Sequence, residues 1–368
     1  MSEKSLPFPL RRKNLRAFLK RERLDAILIT DPLNVFYLTG FTGGDSWLFV
    51  SRERTVLISD PRYELQIAEE APDIEAIVRR VPTTMFGAVK ALAVSAMKVG
   101  VESDSITLGE FSRLTQSADA EWVPVSQAVE RLREIKDRSE IAAIREAVRI
   151  AAAGFEVLRL ILRPEMSEAQ VRDELEYQMR RIGAEHTAFP TIAAVGARSA
   201  LPHAVPTNDA RVGDGDLLLI DWGAKKNMYL SDLTRVLATA PRPSALLRKI
   251  YNVVLNAQSA ALEILRPGVT GAAADAAARR VIDRAGYGRM FNHGLGHGIG
   301  LFVHERGRLS VNADRPLRPG MVVTVEPGIY LPGRFGVRIE DDVLITEDGI
   351  EILSAGLRKD FDEIRVGF

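Results

Sequence analysis

Three histidines lie close together in one glycine-rich stretch, HGLGHGIGLFVHE at residues 293–305. His293, His297 and His304 are three of the chain's five histidines, and the stretch also holds four of its 28 glycines. Its spacing matches neither the dinucleotide-binding GxGxxG motif nor the zinc-binding HExxH motif, because Arg308 stands where HExxH needs its second histidine. So much glycine favours an extended or looped backbone that other groups approach closely. The stretch therefore predicts imidazoles that are presented from a tightly packed segment.

Four acids stand at the edges of apolar runs that are typical of buried strands. Asp221 ends the run LLLI and Asp232 begins the returning strand of one predicted hairpin, while Glu326 ends VVTV and Glu340 lies on the returning strand VRIEDD of another. Antiparallel pairing can bring each pair of acids side by side. Because buried like charges repel, such a cluster persists only if it is protonated or neutralised by cations. Two divalent metal ions with one histidine ligand would neutralise it; the alternative is that each acid caps a turn or pairs with an arginine.

These hairpins belong to a diverged internal repeat. The segments LRPEMS at 162–167 and LRPGVT at 265–270 are 103 residues apart, and each lies between two helical patterns and precedes a hairpin. Two copies are too few for a solenoid, so the repeat predicts a single pseudo-symmetric domain in which the two acid-bearing hairpins meet.

The first part of the chain alternates short strand and helix patterns, which predicts a compact α/β domain. From Ala128 a helical periodicity runs for about 35 residues, with a possible break near Asp137–Ser139. We expect an N-terminal domain at 1–128, a linker or start of a long helix at 129–138, and a catalytic domain at 139–368.

Composition excludes several classes of function. Lys+Arg and Asp+Glu number 49 each, so no net charge draws the protein to nucleic acid or to an anionic membrane. The absence of cysteine excludes thiolate ligands, thiol nucleophiles and disulfides. The sequence has neither an apolar run long enough to span a membrane nor the apolar core of a signal peptide at its start, so we expect a cytoplasmic protein.

The order of these residues resembles that of the dinuclear pita-bread metallopeptidases, which include methionine aminopeptidase, aminopeptidase P and prolidase. The resemblance extends to SALPHAVPTN at 199–208 and, in the N-terminal part, to YLTGFTGGDSWLF and SDPRYELQ, which are similar to the aminopeptidase P branch. It covers essentially the whole chain. It implies an α/β domain of the creatinase and prolidase type followed by a pseudo-symmetric α+β pita-bread domain.

The resemblance also implies a role for each acid. Asp221 would chelate one metal ion, His297 and Glu326 would bind the other, and Asp232 and Glu340 would bridge the two. A hydroxide that bridges the two ions would attack the scissile carbonyl, and Glu326 would pass the proton to the leaving nitrogen. This shell favours Mn²⁺, with Zn²⁺, Co²⁺ or Fe²⁺ as alternatives.

The remaining histidines acquire substrate roles by the same resemblance. His203 and His304 are similar to residues that hydrogen-bond the substrate carbonyl and the tetrahedral intermediate, and His293 to one that lines the proline pocket. Tyr229 and Arg338 resemble supporting residues that orient ligands. Two positions stand outside these roles: His186, interpreted as structural, and Asp342, which stands where many relatives have threonine or serine.

The function implied is that of an Xaa-Pro aminopeptidase, which removes the first residue from peptides whose second residue is proline. The N-terminal motifs favour it over the alternative, an Xaa-Pro dipeptidase. An alternative of another class is a non-catalytic pita-bread domain that binds peptides, although such proteins have generally lost ligands. The partners implied are short peptides and a second copy of the chain in a homodimer, with no nucleic acid and no membrane.

Overall fold

The computed structural model describes residues 7–94, 97–117 and 119–366. The chain divides into two compact units, Met1–Arg133 and Glu134–Phe368, and the boundaries expected at residues 128 and 138 lie on either side of this division. Within the described residues, no helix is both long enough and apolar enough to cross a membrane.

The N-terminal unit is an α/β fold built on one sheet with the strand order β4-β3-β2-β1-β5-β6. Strand β2 pairs antiparallel with both β1 and β3, whereas β4, β5 and β6 each join the sheet in parallel. The apolar runs AILI, WLFV and TVLI form buried strands, as their composition predicts. The elements are α1 (Phe8–Arg21), β1 (Ala26–Ile29), α2 (Pro32–Thr39), β2 (Trp47–Ser51), β3 (Thr55–Ser59), α3 (Glu64–Glu70), β4 (Glu75–Val78), α4 (Met85–Leu92), β5 (Lys98–Glu102), α5 (Leu108–Ser117), β6 (Glu121–Val125) and α6 (Glu130–Arg133).

The C-terminal unit packs long helices against small antiparallel sheets. A three-stranded sheet has the order β12-β9-β8 and a five-stranded sheet the order β14-β13-β15-β18-β19. The elements are α7 (Arg138–Ile161), α8 (Glu168–Ile182), β7 (His186–Thr187), β8 (Ile192–Val195), β9 (Leu217–Trp222), β10 (Ala224–Lys226), β11 (Tyr229–Leu230), β12 (Leu233–Ala238), α9 (Ala245–Leu262), α10 (Gly271–Arg284), β13 (Gly296–Gly298), β14 (Glu305–Leu309), β15 (Val322–Val325), β16 (Gly328–Leu331), β17 (Phe335–Arg338), β18 (Asp341–Ile345) and β19 (Ile350–Ile352).

The long helical pattern breaks near the residues expected from the sequence. Helix α6 ends at Arg133, and α7 begins at Arg138 after its N-cap residue, Asp137. The Asp137 side chain accepts hydrogen bonds from two amides of the first turn, and the Glu140 carboxylate accepts one from the Asp137 amide. This capping box sets the start of α7.

The predicted repeat is confirmed by matching contacts in its two halves. Ser167 and Thr270 cap α8 and α10, each by accepting a bond from an amide three residues later. Each also forms an isolated antiparallel bridge, Ser167 with Arg211 and Thr270 with Pro316. The two halves therefore use the same turn to start the second helix of a packed pair.

The two sheets meet at a bridge between Thr234 and Glu340, where the Glu340 amide donates to Thr234 O at 3.1 Å. The predicted meeting of the two acid-bearing hairpins is confirmed in this way. The second hairpin differs from the prediction in one respect. Strand β15 pairs with β18 rather than with the strand containing Arg338, because the intervening residues form a separate β16–β17 ribbon. Glu340 consequently lies between β17 and β18 and not within a strand.

Candidate metal centre and active site

Three of the predicted ligands form one cluster in the C-terminal unit. Ligand atoms of Asp232, His297 and Glu340 all lie within 4.8 Å of one another. Glu326 adjoins this cluster, since its Oε1 is 3.4 Å from His297 Nε2, while Asp232 Oδ2 is 3.6 Å from the same nitrogen. Asp232 immediately precedes β12, His297 lies on β13, Glu326 follows β15 and Glu340 precedes β18. Strand ends from both halves of the repeat thus converge on one place.

Asp221 completes the group from β9, where it pairs with Thr234 on β12. Its Oδ2 accepts a hydrogen bond from Arg338 Nη2 at 2.5 Å, and Arg338 Nε donates to Thr234 Oγ1 at 3.0 Å. Its Oδ1 is buried and has no hydrogen-bond partner among the described residues. A buried carboxylate oxygen without a partner is costly, and a cation would satisfy it.

Three carboxylates of the cluster have pKa values raised above the ordinary range. Burial, as the largest cause, raises the pKa of Asp232 and of Glu340 well above their ordinary values, and the charge of Asp221 adds to both shifts. Burial also raises the pKa of Glu326 to about 8, although the charge of Arg338 opposes this shift. Without a cation, the cluster retains protons near neutral pH, so bound divalent ions would replace protons and relieve the repulsion.

His297 presents one nitrogen to this cluster. Its Nδ1 lies 3.1 Å from the carbonyl of Gly298, an acceptor that holds the ring proton on Nδ1 and leaves Nε2 facing Asp232 and Glu326. Burial lowers the pKa of His297 to about 4, so the ring is neutral at neutral pH. A neutral imidazole with its second nitrogen hydrogen-bonded is the form that ligates metals.

The glycines around His297 are needed for close packing, as the sequence predicts. A Cβ on Gly296 would lie 2.0 Å from the carbonyl oxygen of Thr324, and one on Gly298 would lie 1.7 Å from that of Arg306. Strand β13 therefore fits between β14 and β15 only because these residues lack side chains.

His293 lies apart from the metal ligands. Its Nε2 is 3.0 Å from the Tyr330 hydroxyl, and its Nδ1 is 2.8 Å from the carbonyl of Gly294. Burial lowers the pKa of His293 to about 4, with the charge of Arg338 as the next cause. A neutral ring that packs edge-on against Phe291 offers a mainly apolar face.

His304 and His203 are both exposed. The His304 ring centroid is 4.5 Å from that of His297. Burial of part of the ring lowers the pKa of His304, with the charges of Arg308 and His203 as further causes. The charge of His203 also contributes to the lowered pKa of His293.

The predicted supporting residues have distinct surroundings. Arg338 contacts the predicted ligand Asp221 directly, whereas the Tyr229 hydroxyl donates to Glu140 Oε1 at 3.0 Å, in the first turn of α7. The Asp342 carboxylate accepts a hydrogen bond from the Asp232 amide at 3.0 Å, so this departure from the expected sequence acts on the backbone of a predicted ligand. His186 is exposed on β7.

Family models match both units of the chain. The model of Metallopeptidase family M24 matches residues 142–347, and that of the Creatinase/Prolidase N-terminal domain matches residues 11–135. The chain belongs to metallopeptidase family M24. An uncharacterized peptidase of Bacillus subtilis (strain 168) is 41% identical over 92% of this chain and 95% of its own. An Xaa-Pro dipeptidase of Pyrococcus horikoshii is 37% identical over 93% of this chain and 96% of its own.

Solved structures of M24 relatives have the same two-domain fold. The Xaa-Pro dipeptidase from Bacillus anthracis has a TM-score of 0.91 at 38% identity, over 96% of this chain and 98% of its own. The X-Pro aminopeptidase from Thermotoga maritima MSB8 has a TM-score of 0.85 at 38% identity, over 93% and 99%. The fold expected from the sequence, an α/β N-terminal domain followed by a pita-bread domain, is confirmed.

The residues of the cluster are suited to bind metal ions, as the name of Metallopeptidase family M24 implies. The donors are carboxylate oxygens and one neutral imidazole, which together favour divalent ions of intermediate hardness. The unpartnered Oδ1 of Asp221 and the proton-retaining carboxylates indicate the same requirement for positive charge.

The sequence interpretation missed the hydroxyl groups that hold these M24 side chains in place. Thr234 Oγ1 donates to Glu340 Oε2 at 2.7 Å, and Thr324 Oγ1 accepts from the His297 amide at 3.1 Å. One signal could have revealed them. Each threonine is two residues from an acid, Asp232 or Glu326, and alternation along a strand places such residues on the same face.

Proposed function

We propose that this chain is a metal-dependent peptidase that hydrolyses the bond between an N-terminal residue and proline, with Xaa-Pro dipeptides as its preferred substrates. The observation that carries the peptidase activity is the buried cluster of Asp232, His297 and Glu340, with Asp221 and Glu326 beside it. The sequence alone favoured an aminopeptidase. The relatives named Xaa-Pro dipeptidase, from Pyrococcus and Bacillus anthracis, support the dipeptidase better.

A free cation beside the histidines also supports a dipeptide substrate. Arg308 is exposed on β14, and its guanidinium makes no hydrogen bond or ion pair with any residue that the structure describes. Strand β14 pairs with β13, the strand that carries His297, and the charge of Arg308 lowers the pKa of both His297 and His304. A dipeptide carries its C-terminal carboxylate on the residue after the scissile bond, and a guanidinium is a strong partner for a carboxylate. A longer peptide has a neutral amide at that position.

The ligand roles follow from the cluster and from family membership. Asp221, Asp232, His297, Glu326 and Glu340 would hold two divalent ions, and Mn²⁺ suits this shell. When bound, such ions polarise the scissile carbonyl and lower the pKa of water. The pair of bridging acids would be Asp232 and Glu340, which are the two most deeply buried carboxylates of the set.

The chain's own residues would handle the substrate and its protons. His203 and His304 would donate hydrogen bonds to the scissile carbonyl and to the charge that develops on its oxygen. Neutral His293 would pack against the proline ring. Glu326 would take a proton from the attacking water and deliver it to the leaving nitrogen.

The test is a substrate series assayed with Mn²⁺ and after metal removal. We expect Xaa-Pro to be hydrolysed, Xaa-Ala to be inert, and activity to be lost when the metal is removed. Arg308→Ala should reduce kcat/KM for Xaa-Pro by about 100-fold, since it removes a charge-assisted bond to the carboxylate, and should leave Xaa-Pro-Xaa unaffected. Arg315→Ala, at another exposed arginine, is the matched control and should retain activity.

The second candidate is the Xaa-Pro aminopeptidase. The Thermotoga maritima structure and the N-terminal motifs YLTGFTGGDSWLF and SDPRYELQ support it. Hydrolysis of Xaa-Pro-Xaa with inert Xaa-Pro would establish it in place of the dipeptidase. A metal-loaded protein that binds these peptides and cleaves none would instead favour the non-catalytic alternative. The homodimer and the cytoplasmic location stay predictions.

A further inference from the structure

A fully buried carboxylate closes both ends of the loop that carries His203. Glu168 is the first residue of α8 and has no exposed surface. Its Oε1 accepts a hydrogen bond from the Val195 amide at 2.8 Å, and its Oε2 accepts one from the Thr207 amide at 3.0 Å. His203 lies between these two amides, so one side chain sets the distance between the two ends of the loop.

Arg198 ties the middle of the same loop to this carboxylate. Its Nε lies 2.9 Å from both oxygens of Glu168, and its Nη2 donates to the Val205 carbonyl at 2.7 Å. The guanidinium thus spans the two sides of the loop around His203. All the partners of Glu168 described above are donors, so both of its side-chain oxygens must act as acceptors.

The closed loop is fixed relative to the metal cluster by β17. The Gly336 amide donates to Ser199 Oγ at 2.7 Å, and a Cβ on Gly336 would lie 2.1 Å from the Ser199 carbonyl oxygen. Strand β17 also carries Arg338, which contacts Asp221. The position of His203 therefore depends on Glu168 on one side and on β17 on the other.

We propose that Glu168 is a positioning residue, whose carboxylate closes the loop so that His203 reaches the scissile carbonyl of the substrate. The inference rests on the proposed function, in which His203 hydrogen-bonds that carbonyl. A displacement of a catalytic group by about 1 Å can cost on the order of 100-fold in rate. Glu168 would act through His203 and would touch neither substrate nor metal.

The test is a double-mutant cycle with Glu168→Gln and His203→Ala, assayed on Xaa-Pro and Xaa-Pro-Xaa peptides. The amide of Glu168→Gln keeps the volume but places an NH₂ group against donors. We expect kcat to fall by about 10-fold or more in each single variant, with KM and Mn²⁺ affinity nearly unchanged. The double variant should be no slower than His203→Ala, because the two residues act as one unit. Glu165→Gln, an exposed acid three residues earlier, is the matched control and should keep full activity.

Hydrogen exchange measures directly whether the loop at residues 195–207 loosens. In Glu168→Gln, the amides of residues 195–207 should exchange faster, with unchanged exchange in β13 and β15. If Glu168→Gln does not fold, Arg198→Met replaces it in the cycle, with the same expected non-additivity.

The outcomes separate the two proposals. If the wild-type enzyme is active and the kcat losses of Glu168→Gln and His203→Ala multiply in the double variant, the proposed role of Glu168 is wrong. The proposed peptidase activity is then unaffected. A wild-type protein that is inactive on all these peptides with metal bound would overturn the proposed function and this inference with it.

Discussion

Threonine hydroxyls orient the side chains of the predicted metal cluster. Thr324 Oγ1 accepts from the His297 amide at 3.1 Å and lies 3.4 Å from Glu326 Oε1. Thr234 Oγ1 accepts from Arg338 Nε and donates to Glu340 Oε2. Each hydroxyl joins two functional residues of different elements. Groups that hold metal ligands in this way commonly contribute 10–100-fold to metal affinity.

Replacement of Thr324 by valine tests this contribution. Thr324→Val keeps the volume but leaves the His297 amide without its acceptor, so we expect Mn²⁺ affinity to fall by about 10-fold or more. Isothermal titration of the metal-free protein measures it. Thr324→Ser retains the hydroxyl and should restore affinity, and equal affinities of the serine and valine variants would contradict the prediction.

The metal-free protein should lose stability as pH rises from about 6.5 to about 8. The pKa of Glu326 is about 8 in the folded protein against an ordinary 4.5. The folded state thus keeps a proton that the unfolded state has released, and the free energy of unfolding falls as pH approaches 8. His293 and His297, with pKa values lowered to about 4, have the opposite effect, but only below their ordinary value of 6.5.

Thermal unfolding followed by circular dichroism checks this pH dependence. Mn²⁺ at saturation should remove the fall, because metal replaces the proton, and Glu326→Gln should reduce it in the metal-free protein. A melting temperature that rises across the same pH interval in the metal-free protein would contradict the assignment of the retained proton.

At the scale of elements, the glycine-rich strand β13 allows its two neighbouring strands to pack closely beside the candidate ligand His297. Strand β13 pairs with β14 on one side and β15 on the other. Its outer residues, Gly296 and Gly298, abut backbone carbonyls of these neighbours, while His297 between them points to the cluster. The alternation of glycine and histidine in β13 thus allows close backbone packing and also directs one imidazole to the cluster.

Gly296→Ala should displace β13 from β15. Its Cβ would lie 2.0 Å from the Thr324 carbonyl oxygen, a backbone atom that cannot move aside cheaply. We expect a loss of at least about 2 kcal/mol in the free energy of unfolding, together with weaker Mn²⁺ binding. Urea denaturation measures the first. Gly356→Ala, where a Cβ would meet nothing within 4 Å, is the control and should be nearly neutral.

At the scale of the whole C-terminal unit, a buried ion pair joins the two halves of the repeat. Arg235 on β12 contacts Asp341 on β18 at 2.6 Å, and both side chains are at most 1% exposed. The other Arg235 Nη atom donates to the carbonyl of Glu340 at 2.6 Å. Arg235 and Lys359 hold the pKa of Asp341 at about 2 despite its burial. The pair thus fixes the strand ends that carry Asp232 and Glu340.

Arg235→Leu should destabilise the C-terminal unit strongly. Among the residues that the structure describes, it leaves buried Asp341 with only Lys359 as a charged partner. Breaking one partner of a buried pair costs about 3–5 kcal/mol. Arg145→Leu is the matched control, because Arg145 and Glu351 also join the two halves but are 47% and 44% exposed. An exposed pair contributes less than about 1 kcal/mol. Equal losses in the two variants, measured by urea denaturation, would contradict the prediction.

The sequence by itself determined the elements and the list of candidate ligands. Strands such as Ala26–Ile29 and Val322–Val325 are apolar runs whose composition favours strands. Asp221 and Glu326 were predicted as ligands because each ends such a run, where a lone charge is unexpected. Apolar runs and the acids that end them are local features of the chain, so they can be recognised in a single sequence.

Only the tertiary structure decided how distant residues meet. Glu340 lies outside a strand because a separate ribbon forms before it, and Thr234 reaches it across the repeat. Glu168 contacts Thr207 across 39 positions, and Arg235 contacts Asp341 across 106. Local propensity has no information on such contacts, because they arise from the packing of whole elements and from the burial of charges that must find partners. The candidate ligands could therefore be predicted from the sequence, whereas the residues that hold them in position could not.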